Sequence, residues 1–183
     1  MRASGIEIGV DFTFFAVITM FLTLDTTGFA LMSLFVCAIH ECGHLIAMLI
    51  GGHKPNSIFF KGGGIRLSNS GADSVFILIA GSAVNLGLFF ALYFTLPKTD
   101  IYPVMFAVLN LVIGVFNLLP VGCLDGKRIL ETFLPNRILR AVEIFFLAAI
   151  IFAVSVAIPS GGVNFTFAAA MIYILCVDVF SRV

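Results

Sequence analysis

Long uncharged runs alternate with short polar breaks along the whole chain. Six of these runs are predicted to be membrane-spanning helices, because a bilayer core requires about 20 consecutive apolar residues in helical form. Their predicted ranges are residues 10–25, 29–51, 73–96, 101–121, 138–158 and 163–181. The pattern therefore predicts an all-α polytopic membrane protein with about six transmembrane helices. We expect a single membrane domain over residues 1–183, with its core at residues 29–130.

The connection between the second and third predicted helices is too polar to cross a bilayer. Residues 57–60 and 64–67 flank a run of glycines, and this pattern predicts a short β-hairpin. Open strand edges cannot face lipid, so the backbone of the hairpin must be paired or lie beside water. One interpretation is that the hairpin binds an extended peptide along its edge. The alternative is a cytosolic hairpin that binds nothing.

The composition excludes an ordinary soluble domain. Of the 183 residues, 61% are hydrophobic and only 11% are charged, whereas soluble domains carry about a quarter charged residues. The net charge of zero gives no sign of a nucleic-acid surface. The four cysteines show no CxxC spacing, and we expect reduced thiols within apolar runs. Two of them, Cys42 and Cys123, lie in the chemically active segments described below, so a role as metal ligands stays open.

The basic residues predict the orientation in the membrane. If the N-terminus is cytosolic and six spans alternate, only Lys98 of the 10 Lys and Arg residues falls on the external side. Basic residues in short loops favour the cytosolic side of a membrane. We therefore expect both termini to be cytosolic.

The second predicted span contains the motif His40-Glu41-x-x-His44 in an otherwise uncharged run. On a helix the two imidazoles share one face, because they are four residues apart. Three ionisable groups in hydrocarbon are costly, and a bound divalent cation would compensate all three. Two imidazole ligands with an adjacent carboxylate base are typical of zinc hydrolases. The alternative, a pair of core histidines beside a stray acid, leaves the carboxylate without compensation.

A catalytic zinc needs a third protein ligand. Asp125 is favoured because Pro120 ends the fourth apolar run and Gly122 and Gly126 permit unusual backbone angles next to it. A carboxylate on such an unwound segment can reach a neighbouring helix. The alternative for Asp125 is a cap at the end of a helix. The other candidate ligands are Asp11, Asp25, His53, Glu131, Glu143, Asp178 and the cysteines.

Asn85 and Asn117 are the two asparagines singled out inside apolar runs. Each amide can donate to a peptide carbonyl or to a developing oxyanion. The alternative is hydrogen bonding between helices, which is common for Asn in membrane bundles. Gly81 and Gly87 are expected to allow helices to approach closely. Glu143 and Asp178 are expected to pair with Arg140 or Arg182 near the cytosolic end.

These motifs, in this order and spacing, resemble those of the site-2 proteases, a family of zinc intramembrane metalloproteases. The matching features are His40-Glu41-x-x-His44, Gly81-x-x-x-Asn85, and Asn117-x-x-Pro120 followed by Asp125-Gly126. The layout is most similar to the sporulation-factor-processing branch, without an added regulatory domain. One departure is Ser82, which stands where many relatives have proline.

The resemblance implies that one Zn²⁺ is bound by His40, His44 and Asp125, and that Glu41 is the catalytic base. It further implies that Asn85 and Asn117 lie near the scissile peptide. We therefore expect an endopeptidase that cleaves a peptide bond in or near a transmembrane segment of another protein, in a bacterial cytoplasmic membrane. Its partners would be that substrate and the lipid bilayer, with no nucleic acid, and a membrane regulatory partner or a homo-oligomer is compatible with this. The alternative is a zinc-binding transporter or sensor without protease activity.

Overall fold

The computed structural model describes residues 2–3, 6–25, 27–53, 56–61, 64–68, 74–97, 99–122 and 124–157. This part of the chain is mostly helical, and it confirms the predicted fold class. The strands are β1 (Arg2–Ala3), β2 (Ile6–Val10), β3 (Ser57–Lys61) and β4 (Gly64–Ser68), and the helices are α1 (Phe12–Leu24), α2 (Phe29–Ile50), α3 (Val75–Thr95), α4 (Ile101–Asn117), α5 (Asp125–Glu131) and α6 (Asn136–Ala157). The chain divides into two compact units, Met1–Phe116 and Asn117–Val183.

Three helices of the described part are long and apolar enough to cross a membrane: Phe29–Ile50, Val75–Thr95 and Asn136–Val156. They correspond to the second, third and fifth predicted spans. The fourth corresponds to α4, a shorter apolar helix of 17 residues. The first corresponds to α1, which has 13 residues and is therefore only about 20 Å long. The predicted span at 163–181 lies outside the described residues.

The first span was predicted to begin at about residue 10, and the strand that precedes it was not predicted. Residues Ile6–Val10 form strand β2, and α1 begins only at Phe12. Asp11 lies between the strand and the helix. Its carboxylate accepts hydrogen bonds from the amide of Thr13 at 2.9 Å and from the Thr13 hydroxyl at 3.1 Å. Such a side chain satisfies amides that have no partner in the first turn of a helix.

The predicted hairpin is confirmed, and it belongs to a larger sheet. β3 and β4 pair antiparallel, with Phe60 opposite Ile65, and the strand order of the sheet is β1-β2-β3-β4. β2 runs parallel to β3 with Ile8 opposite Ile58, and β1 pairs antiparallel with β2. The amide of Asp11 donates to the carbonyl of Phe60 at 2.8 Å, which attaches the start of α1 to the sheet.

Within the first unit, α2 packs closely against α3 through glycine. A methyl group added at Gly43 would lie 2.9 Å from the carbonyl oxygen of Ala80 and 2.9 Å from the Cα of Gly81. Small residues at such crossings let helix backbones approach in a membrane, where dispersion contacts replace the hydrophobic effect. Gly87 has no such contact among the described residues, where a methyl group at this position would meet nothing within 4 Å, so the expectation for Gly87 stays a prediction.

The N-terminus of α2 is held by a carboxylate from the preceding loop. Gly28 adopts a left-handed conformation and provides no side-chain cap. Asp25 instead accepts from the hydroxyl of Thr27 at 2.6 Å, from the amide of Thr27 at 2.9 Å and from the amide of Ala30 at 2.6 Å. These hydrogen bonds hold the pKa of Asp25 below its ordinary value, and the bond from the Thr27 hydroxyl contributes most. The negative charge also complements the helix dipole.

We predict that Asp25→Ala lowers the melting temperature of the protein at neutral pH, because the first turn of α2 loses its acceptor. The folded-state pKa of Asp25 is depressed, so its stabilisation is complete above the unfolded pKa and is lost as the pH falls through the folded pKa. The difference in melting temperature from wild type should therefore narrow in acid. Thermal unfolding in detergent micelles over a range of pH measures it. Asp100→Ala, which removes an exposed carboxylate before α4, is the control, and an equal loss in both variants contradicts the prediction.

Candidate functional site

The two histidines of the motif lie on the buried face of α2. His40 is 3% exposed and His44 is 6% exposed, whereas Glu41 is half-buried. The face is set by helical geometry, since residues four apart project in nearly the same direction. The predicted helix and the predicted shared face are both present in the structure.

The hydrogen bonds of the imidazoles determine which ring nitrogens are available. Nδ1 of His44 lies 2.7 Å from the carbonyl oxygen of Ile77 on α3. A carbonyl only accepts, so this Nδ1 carries the proton and donates it, which leaves the lone pair on Nε2. Nε2 of His44 is 3.1 Å from Nε2 of His40.

This arrangement fits a shared metal ion. Two nitrogen ligands of one tetrahedral zinc are about 3.3 Å apart, given zinc–nitrogen bonds of about 2.0–2.1 Å. The Nε2 atoms of His40 and His44 are close to that separation. A hydrogen bond from the other ring nitrogen to a backbone carbonyl is also the usual outer support of a ligating histidine. Both donors are imidazole nitrogens, which are common zinc ligands.

Gly81 brings the backbone of α3 against the same two nitrogens. A methyl group at this position would lie 2.5 Å from Nε2 of His44 and 2.8 Å from Nε2 of His40. Any side chain at residue 81 would therefore occupy the space toward which the imidazoles converge. The glycine was expected to serve helix packing alone, and the structure adds a direct steric reason at the site.

Asn85 follows Gly81 by about one turn of α3 and is fully buried. Its Nδ2 lies 3.4 Å from Nδ1 of His40. Its Oδ1 is buried without a hydrogen-bond partner among the described residues. The structure thus brings one of the two predicted asparagines to the motif, in contact with a histidine.

A third asparagine in an apolar run, Asn110 on α4, was missed. It is fully buried, its Nδ2 donates to the carbonyl of Phe106 at 2.9 Å, and its Oδ1 has no partner in the described part of the chain. The hydroxyl of Ser82 is buried and unpartnered in the same sense. The signal that singled out Asn85, an amide in an uncharged run, applied equally to Asn110.

The second unit holds the segment that carries Asn117 and Asp125. Asn117 is the half-buried last residue of α4, and Asp125 is the first residue of α5, 8% exposed. The predicted helix break lies between them, where Pro120 is buried and Gly122 adopts a φ of 59°. This left-handed angle favours glycine.

Gly126 fixes the start of α5 against the segment before it. A methyl group there would overlap the carbonyl groups of Leu118 and Leu119. Because the overlap is with backbone rather than with a flexible side chain, only glycine fits. Packing therefore requires glycine at the second position of the Asp125-Gly126 motif.

An ion pair ties this segment to α6. Oε1 of Glu143 accepts from the ammonium group of Lys127 at 2.5 Å and from the amide of Gly122 at 3.0 Å. Lys127 is 4% exposed, and a charge this buried requires a partner. The expectation that Glu143 pairs with Arg140 is wrong, because the carboxylate turns toward Lys127 and Arg140 is exposed.

Several other candidate ligands have different surroundings. Asp11 and Asp25 bind helix amides or neighbouring threonines, as described above. His53 is exposed beyond the end of α2, and Glu131 is exposed at the end of α5. The thiols of Cys37 and Cys42 on α2 are free and exposed. Asp178, Cys123 and Cys176 lie outside the described residues.

The comparisons with known proteins point to one family. The sequence model of peptidase family M50 matches residues 98–158, about a third of the chain, including the segment from Asn117 to Gly126. Among solved structures, the chain is similar to a site-2 protease from Methanocaldococcus jannaschii, with a TM-score of 0.65 and 19% identity over 99% of this chain and 92% of that one. No curated protein matches the chain.

At 19% identity the structural likeness shows a shared fold, and the family match adds a sequence relation over the Asn117–Gly126 motif. The three apolar helices long enough to cross a bilayer agree with an integral membrane protein. These findings bear out the resemblance drawn from the motifs, while the sporulation-factor-processing branch stays a prediction. The chain thus has the fold of a site-2 protease and, over residues 98–158, matches the model of peptidase family M50.

Proposed function

We propose that the protein is an intramembrane zinc endopeptidase that cleaves a peptide bond in or near a transmembrane segment of another protein. The observation that carries the proposal is the convergence of two imidazole nitrogens, 3.1 Å apart and buried, in a helix long and apolar enough to span a bilayer. Such a pair is costly in hydrocarbon without a cation. Cleavage of a transmembrane segment would require a metal-bound water within the bilayer, and a metal site on this helix would supply it.

His40, His44 and Asp125 would hold the zinc ion. The two imidazoles would supply nitrogen ligands. Asp125 lies in the segment that the family model matches, and the resemblance implies it as the third ligand. Its burial at the start of α5 supports this role, since a buried carboxylate needs a compensating charge. When bound, zinc would lower the pKa of a water molecule and polarise the scissile carbonyl group.

Glu41 would move the protons. It follows His40 on α2 and is half-buried, which supports its assignment to the same site. As general base it would take a proton from the attacking water, and as general acid it would give that proton to the leaving amine. Asn117, at the end of α4, would donate its amide to the substrate backbone.

The substrate would be bound as an added strand. β4 is the last strand of the four-stranded sheet and pairs with β3 on one side. A peptide bond can be attacked only after the substrate helix unwinds, and an unwound segment can satisfy its backbone groups by pairing with a strand edge. We propose that the edge of β4 takes this role.

The active site would open toward the cytosol. His44 precedes the end of α2 at Ile50 by about 9 Å at 1.5 Å per residue. The distribution of the basic residues supports a cytosolic location for that end of the helix. The proposal therefore includes both termini in the cytosol, one protease domain over the chain, and release of a product into the cytosol.

We predict that Glu41→Gln abolishes cleavage of a co-expressed single-span membrane reporter and leaves zinc bound. Removing a general base costs about a hundredfold or more in rate, while the metal ligands stay intact. Immunoblotting of the reporter and metal analysis of the purified protein measure the two effects.

Glu131→Gln is the matched control, since Glu131 is an exposed residue at the end of α5. It should cleave as wild type does. If Glu41→Gln processes the reporter normally, the hydrolytic mechanism is wrong, and a zinc transporter or sensor becomes the better interpretation.

We predict that Gly81→Ala weakens zinc binding about tenfold or more, an effect of the size seen for residues that orient metal ligands. The added methyl group would lie against both Nε2 atoms and force the imidazoles to shift. Gly87→Ala, on the same helix, meets nothing within 4 Å in the described part of the chain and should bind zinc as wild type does. Competition with a chromophoric chelator in detergent measures both affinities, and equal affinities contradict the proposed position of the metal.

A further inference from the structure

The hydrogen bonds around the two histidines form a directed chain. Nδ1 of His44 donates to the carbonyl of Ile77, so its Nε2 is an acceptor. Nε2 of His40, 3.1 Å away, can donate to it. Nδ1 of His40 then accepts from Nδ2 of Asn85, 3.4 Å away. In this chain of bonds the proton of His40 is on Nε2.

Metal ligation requires the other tautomer of His40. Nε2 of His40 faces Nε2 of His44, so it is the nitrogen that would ligate an ion shared by the two rings. A ligating nitrogen cannot carry a proton, and the proton of a neutral imidazole must then be on Nδ1. Nδ1–H needs an acceptor in this buried place.

The Asn85 side chain can supply that acceptor. Its Oδ1 is fully buried and has no hydrogen-bond partner among the described residues. Rotation of the amide by 180° exchanges oxygen and nitrogen, and this places Oδ1 where Nδ2 lies beside Nδ1 of His40. The rotation gives the oxygen a partner and supplies the ligating tautomer with an acceptor, while Nδ2 moves to the position that the oxygen leaves.

We propose that Asn85 is a positioning residue that selects the metal-binding tautomer of His40 by accepting the proton of Nδ1. The proposal rests on the zinc site proposed above. It differs from the role expected from the sequence, in which the amide of Asn85 donates to a peptide carbonyl or to a developing oxyanion. Acceptors of this kind orient ligating histidines, and their loss weakens metal binding about 10- to 100-fold.

Two substitutions of Asn85 distinguish a role as hydrogen-bond acceptor from a role as hydrogen-bond donor. Asn85→Asp keeps an oxygen that accepts from Nδ1–H but cannot donate to an oxyanion when ionised. Asn85→Leu has a similar volume and removes both functions. Asn110→Leu is the matched control, because Asn110 is also a fully buried membrane asparagine with an unpartnered oxygen in the described region. It contacts the carbonyl of Phe106 and is not assigned to the site.

The experiment titrates Zn²⁺ alone into the chelator-stripped full chain in detergent and measures kcat and KM on a membrane reporter. We expect Asn85→Leu to bind zinc about 10- to 100-fold more weakly than wild type. Asn85→Asp should retain zinc affinity and kcat within about tenfold, and Asn110→Leu should bind as wild type does. If Asn85→Leu does not fold, judged by gel filtration, the Asn85→Asp result decides.

Wild-type zinc affinity in Asn85→Leu overturns the inference. So does a loss of kcat in Asn85→Asp with unchanged zinc affinity, which is the result expected of an oxyanion donor. Either outcome leaves the zinc protease intact if wild type binds one zinc ion and Glu41→Gln is inactive. If wild type binds no zinc, the proposed function fails, and the inference fails with it.

Discussion

The burial of two imidazoles inside a membrane-spanning helix is the constraint on which the rest of the structure depends. Polar groups in hydrocarbon must be paired, and ionisable groups are tolerated only where they bind one another or an ion. The bond from His44 to the carbonyl of Ile77 satisfies this requirement on one side and aims Nε2 at His40. The position of α3 follows, since its backbone supplies that carbonyl.

Close contact between α2 and α3 depends on glycine. Gly43 on α2 and Gly81 on α3 face each other's helix at distances that admit no further carbon atom. With larger residues the helices would separate, and both the carbonyl of Ile77 and the amide of Asn85 would move out of reach of the imidazoles. In the second unit, Gly126 and the Lys127–Glu143 pair similarly fix the segment that carries Asp125. The glycines that allow close backbone contact thus also position the side chains of the candidate site.

The sequence predicted what depends on local spacing: the face shared by His40 and His44, the break at Pro120 and the hairpin. Strand β2 was missed because residues 6–9 were assigned to no element and Val10 was assigned to the following apolar run, although Ile6, Ile8 and Val10 alternate as a strand does. Pairing between residues that are distant in sequence could not be predicted either. Whether Glu143 binds Arg140 or Lys127 depends on how α6 meets the preceding segment, and no pattern within either element specifies that.

The ligand set of the metal is the central claim, and X-ray absorption at the zinc edge tests it most directly. We expect one zinc ion per chain in the purified protein, with two imidazole nitrogens and otherwise oxygen ligands. Asp125→Ala should change the oxygen shell or abolish binding, while the imidazole pattern persists in any zinc that is retained. A sulfur shell, which would indicate ligation by a cysteine, or a spectrum without imidazole scattering would contradict the account.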